Sequence, residues 1–105
     1  MIYSQGAGAT QALSTSVTSA KANLNAGNRA APYLLLVNLS AAVAFVRVST
    51  DNSDATASDL PIGPNESVVI AKTMPMAAAT NVTVAAILSS ATGSLYITGV
   101  DIVGT

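Results

Sequence analysis

Asp51, Asp54 and Asp59 fall in one polar stretch, TDNSDATASDLPIGPNE, with Glu66 at its end, and carboxylates grouped in this way are the natural material for a cation site or an acid/base pair. Calcium takes about six to eight oxygen ligands, and Asn52, Ser53 and backbone carbonyls would add to the acidic set. The spacing lacks the alternating ligands, central glycine and terminal glutamate of a calcium loop. A solvated acidic loop is therefore expected, with no metal. Glycoside hydrolysis needs two carboxyl groups held about 5 to 9.5 Å apart, one of them with its pKa raised by burial. A loop rich in Asp and Ser does neither, and a chain that is 4% aromatic has few platforms on which a sugar could stack.

The chain has no histidine and no cysteine. That removes thiol nucleophiles, disulfides, the usual Cys/His zinc sites and His-based proton transfer together. Serines are abundant, but Lys21 and Lys72 stand in no Ser-Lys motif that would activate one. GAGAT, at residues 6–10, lacks both the preceding strand and the Gly-Lys-Ser/Thr ending of a phosphate cradle. No catalytic residue, cofactor or metal ligand is expected, and the chain reads as a non-enzyme. Lys21, Arg29, Arg47 and Lys72 are scattered without a flanking basic run, and the net charge is -1. Nucleic-acid affinity grows with the number of phosphates neutralised, so no nucleic-acid partner is expected.

Four residues stand out as candidate interface positions instead. Arg47 lies in the middle of VAFVRVST, where a lone charge must either snorkel to solvent or find a carboxylate; Asp59, Glu66 and Asp101 are the candidates for a salt bridge between subunits. Glu66 gives the strand that follows it a soluble edge. Ile2 and Tyr3 would anchor an N-terminal arm on a neighbour, an arrangement the residues do not distinguish from ordinary terminal fraying.

The elements that must position these residues are short and β-like. At 105 residues the chain suits one domain. The first segment is mostly small and polar. It reads as an extended arm or an edge strand near Leu13 to Thr18, with helix over Ala12 to Ala26 as the competing assignment, weakened by the absence of a stripe of large apolar side chains. PYLLLVNLS places Leu34 and Leu36 on one face and Tyr33, Leu35, Val37 and Leu39 on the other. Together with VAFVRVST it suggests a hairpin pair. SVVIAKT, NVTVAAILSS and SLYITGVDIV follow as strands, with MPMAAAT between the first two too short for a stable helix and interrupted by Pro75. Gly93 is the natural residue for a positive φ in the last turn. In DLPIGPNESVV, Pro61 disfavours helix while Gly63, Pro64 and Asn65 supply a turn, so this segment should end one sheet and begin another.

The expectation is an all-β fold, a small antiparallel β-sandwich or jelly-roll-like barrel, with a flexible arm over 1–12 and a single domain over 13–105. No apolar run is long enough to span a bilayer, and no basic segment followed by an apolar core marks a signal peptide, so neither membrane nor secretory signal is expected. Three Asn-x-Ser/Thr triplets, at Asn38, Asn65 and Asn81, are then coincidences of composition.

The segment Val37 to Val69, VNLSAAVAFVRVSTDNSDATASDLPIGPNESVV, resembles a pattern in small proteins encoded near tailed-phage capsid genes. There an asparagine-containing strand precedes Val-x-Phe/Tyr-Val-Arg and a Ser/Thr/Asp/Ala-rich loop ending in Pro-Ile-x-Pro. The matching residues here are Asn38, Ala44, Phe45, Val46 and Arg47, then Asp59, Pro61, Ile62 and Pro64; Asn65 replaces the glycine that often follows the second proline. The resemblance covers about a third of the chain. It implies a capsid decoration or cement protein or minor capsid protein, a bacteriophage virion component on the capsid surface that binds the major capsid protein at capsomer junctions as a dimer or trimer. The alternative is a non-catalytic carbohydrate-binding β-sandwich module of a fibre or tail assembly, with a groove lined by Tyr33, Tyr96 or Phe45.

Overall fold

A computed structural model describes residues 2–5, 9–72 and 81–103. They form nine strands and one short helix in the order β1 (Ile2–Gln5), β2 (Gln11–Thr15), β3 (Ala20–Asn23), α1 (Ala26–Ala30), β4 (Tyr33–Leu39), β5 (Ala44–Ser49), β6 (Leu60–Ile62), β7 (Ser67–Ala71), β8 (Thr83–Leu88) and β9 (Gly93–Val103). Every pairing between them is antiparallel. The chain from β2 to β9 is one long hairpin: β2 pairs with β9, β3 with β8, β4 with β7 and β5 with β6. Rolling both arms of that hairpin adds the pairs β4·β9 and β5·β8. Two sheets result, β2-β9-β4-β7 and β3-β8-β5-β6, with β1 continuing along the β2 edge of β9. This is the eight-stranded jelly roll, an all-β sandwich.

Alternation of side chains drives the packing. In β4, Leu34, Leu36 and Asn38 point into the core and Tyr33, Leu35, Val37 and Leu39 point outward. Leu34, Leu36, Leu95 and Ile97 of the first sheet and Val84, Ala86 and Leu88 of the second are almost wholly buried between the layers.

DLPIGPNESVV performs the sheet change expected of it. β6 belongs to the second sheet and β7 to the first, and the turn between them carries Asn65 at φ 55° and a bond from the Glu66 amide to the Gly63 carbonyl, 3.2 Å. The β4/β5 hairpin is not formed. These strands lie in opposite sheets, because their inward faces, Leu34 and Leu36 against Ala44 and Val46, share one core across the sandwich. The residues between them change layer under the control of Asn38 and Ser40. The positive φ of the last turn falls on Ala91, at 62°, and not on Gly93. Gly93 opens β9 against Ser40 and the Leu39 carbonyl, where a Cβ would overlap both.

β1 and β2 both run along β9 of their own chain: Ile2 is opposite Val103 and Gln11 opposite Ile97. The strand expected at Leu13 to Thr18 is observed at Gln11–Thr15. MPMAAAT lies outside the described residues.

The helix that sequence periodicity does not reveal is α1, a single turn. Asn25 caps it by accepting the Asn28 amide at 2.9 Å, and it closes one end of the sandwich over Gly99.

Candidate interface

The two outward faces differ in kind. On the second sheet the connection Thr50–Asp59 crosses from β5 to β3 over β8. Its anchors are the Ser53 amide on Ser49 Oγ (3.3 Å), the Ala55 amide on Ser19 Oγ (2.9 Å), and Lys21 Nζ on the Asn52 carbonyl (3.1 Å) and Asp54 Oδ1 (3.2 Å). Beneath it Thr83 and Ala85 are buried although their register turns them outward. The polar stretch is thus an ordered cover with Ala55 buried inside it.

Arg47 is held within its own chain. Its Nε donates to Asp59 Oδ1 at 3.0 Å, with Asp59 one step beyond β6 and directly across from Arg47 in the β5·β6 register. The acidic residues are each engaged separately. Asp51 accepts the Ser53 amide and hydroxyl, Asp54 faces Lys21, and Asp59 accepts the Thr56 amide at 2.7 Å as well as Arg47. The Thr56 amide is the main influence holding the Asp59 carboxyl below its ordinary range, against some desolvation and with help from Arg47; the Ser53 hydroxyl does the same for Asp51. Among the described residues no three carboxylate, His or Cys groups converge on a possible metal position.

On the outer face of the first sheet no described loop is anchored in this way, although Val100, turned outward opposite Tyr33, is buried. Cross-strand pairing groups Tyr33, Leu35, Val37 and Leu39 of β4 with Val69 of β7 and Tyr96 and Thr98 of β9. No outward position of β2, β4, β7 or β9 between Ala12 and Val100 is charged. Leu39 is 47% exposed. The other residues named on this face are only partly exposed, so the face is apolar and uncharged without being open throughout.

Tyr33 and Tyr96 share this face, whereas Phe45 points outward from the second sheet, so the three aromatics do not line one groove. Glu66 is exposed at the start of β7. Ile2 and Tyr3 have their backbones paired with Val103 and Ile102.

Two features with no motif complete the frame. Asn38, fully buried, donates through Nδ2 to the carbonyls of Ala42, Ile62 and Gly63 (2.9–3.1 Å) and accepts from Ser40 Oγ at 2.8 Å, binding the β4–β5 crossing to the end of β6. Lys72 Nζ donates to the Asn28 carbonyl at 2.9 Å and to that of Arg29, tying α1 to the end of β7; burial, with Arg29 adding to it, pushes the Lys72 ammonium below its ordinary pKa. An asparagine inside an apolar strand was the available signal for the first. The second had none.

Comparison of the chain with family models, with curated proteins and with solved structures finds no match.

Proposed function

We propose that this chain is a structural virion protein, a capsid decoration protein that sits at capsomer junctions as a homo-oligomer and contacts the major capsid protein. The observation that carries the reading is the uncharged outer face of the first sheet, set against a second sheet whose outer face carries Lys21 and Arg47 and is partly crossed by its own loop. A decoration protein requires a rigid scaffold and contact area, and no proton-transfer group. Repetition across a symmetric lattice multiplies weak contacts into firm attachment. A jelly roll is compatible with that role but does not imply it, since one fold hosts many functions. The resemblance over Val37 to Val69 points the same way.

The test is cosedimentation of the purified protein with expanded capsids and with free capsid subunits. Preferential binding to assembled capsids, lost in Leu35→Asp and Val37→Asp variants that still fold, supports the reading. Equal indifference to both sinks it.

A second reading rests on Tyr33 and Tyr96 sharing that face: a non-catalytic carbohydrate-binding module of a fibre or tail assembly, with the rings as stacking platforms. Glycan binding by the isolated chain, lost on Tyr96→Ala, selects it over the first.

A further inference from the structure

Three of the four sheet edges are guarded against pairing with another chain. β6 is three residues long and contains Pro61, β3 carries Lys21, and β1 and β2 meet β9 in registers that differ by three residues, Gln5 opposite Val100 and Gln11 opposite Ile97, so they do not present one continuous ladder. β7, SVVIA, has no proline, charge or bulge, and among the described residues nothing pairs with its outer side. Val68 and Ile70 pack against the core yet stay partly exposed at this edge.

The bonds at the two ends of β7 fix which groups are free. The Asn38 amide donates to the Glu66 carbonyl and the Lys72 amide to the Pro32 carbonyl, so the even-numbered residues bond to β4. The N–H and C=O groups of Ser67, Val69 and Ala71 therefore turn away from the sheet.

We propose that β7 is the dimer interface of this protein, pairing antiparallel with β7 of a second copy about a two-fold axis at Val69. Val69 then faces Val69 of the other copy, and Ser67 faces Ala71 twice, giving roughly six main-chain hydrogen bonds from groups that no other described strand pairs. The same register brings Glu66 of each copy opposite Lys72 of the other. Lys72 uses two of its three donors on α1, and the third remains for the carboxylate. Slipping by two residues in one direction sets Glu66 opposite Ile70. In the other it carries Ser67 past the end of β7. One register thus satisfies hydrogen bonding, burial of Val68 and Ile70, and charge together. It joins the two first sheets into one and makes their uncharged outer faces continuous.

This deepens the homo-oligomer of the reading above, and the two are separable: a dimer that ignores capsids sinks the virion role alone, and a monomer that decorates capsids sinks only the dimer.

The test is sedimentation velocity on the full chain over a concentration series, with far-UV circular dichroism to verify folding. Val69→Pro removes an outward N–H without touching β4, and Val69→Lys places like charges at the axis. Each is expected to weaken dimerisation by about 10-fold or more. Glu66→Lys and Lys72→Glu, each weakened alone, should form a heterodimer when mixed. A wild-type monomer throughout the series, a trimer, or a dimer indifferent to both Val69 variants overturns the proposal.

Discussion

The side-chain carbonyl of Asn28 accepts the backbone amide of Gly99 at 2.8 Å, joining residues 71 apart in sequence and fixing α1 to the central strand of the first sheet. The same side chain donates to the Ala9 carbonyl at 2.8 Å and to Gln11 Oε1 at 3.2 Å, so one amide gathers β2, α1 and β9. Asn28→Ala leaves the Gly99 amide buried without an acceptor and should cost about 1–3 kcal/mol of unfolding free energy, read from urea titration. Gly99→Ala should cost a similar ~1–3 kcal/mol, since its Cβ would lie 2.7 Å from that of Ala31. The pair should be non-additive, because both disturb one contact.

Asn38 is the corresponding hub at the layer crossing. Asn38→Leu keeps the approximate volume but leaves three carbonyls without their side-chain donor. A loss of about 3 kcal/mol or more is expected in chemical denaturation. A loss below about 1 kcal/mol would show that water replaces the amide.

Thr15 presents the opposite case. It is 3% exposed and its hydroxyl has no partner among the side-chain groups of the described residues. Thr15→Val should be neutral or stabilising by up to about 1 kcal/mol, raising the thermal midpoint, because it removes a desolvated polar atom at nearly constant shape.

Acid should loosen the cover on the second sheet. Asp59 and Asp51 both have folded pKa values below the ordinary 3.8. Their contribution is complete above that value and is lost as pH falls through the lower folded values. Stability measured from pH 5 downward should therefore decline, and Asp59→Asn should flatten the decline while leaving the fold intact. An unchanged slope would mean that the Thr56 and Arg47 contacts add no stability.

Legibility in the sequence followed the range of the forces involved. Alternation in Tyr33–Leu39 and turn chemistry in Pro64-Asn65 are local, and both are readable without knowing the fold. The layer of each strand is not local: PYLLLVNLS and VAFVRVST each display one apolar face, and only the shared core places those faces opposite one another instead of side by side. Arg47, a lone charge in an apolar strand, is legible as needing a carboxylate, and Asp59 is one of three in the sequence that could supply it. That the partner lies in the same chain depends on the β5·β6 register, which sequence spacing leaves open. Residues 50–59 are the solvated loop that their composition implies, most of them exposed; what composition does not disclose is the anchoring through Ala55, which has no hydrophobic pattern around it.

The placement of β9 also sets the order of events in time. β1, β2 and β4 all take their hydrogen bonds from it, yet it is synthesised after every one of them. Until the ribosome has released Gly93–Val103, the first sheet has only its β4·β7 pair, and Leu34 and Leu36 lack the neighbours that bury them. Folding must wait for contacts between the two ends of the fold, which makes it slow and leaves an apolar nascent chain exposed in the meantime.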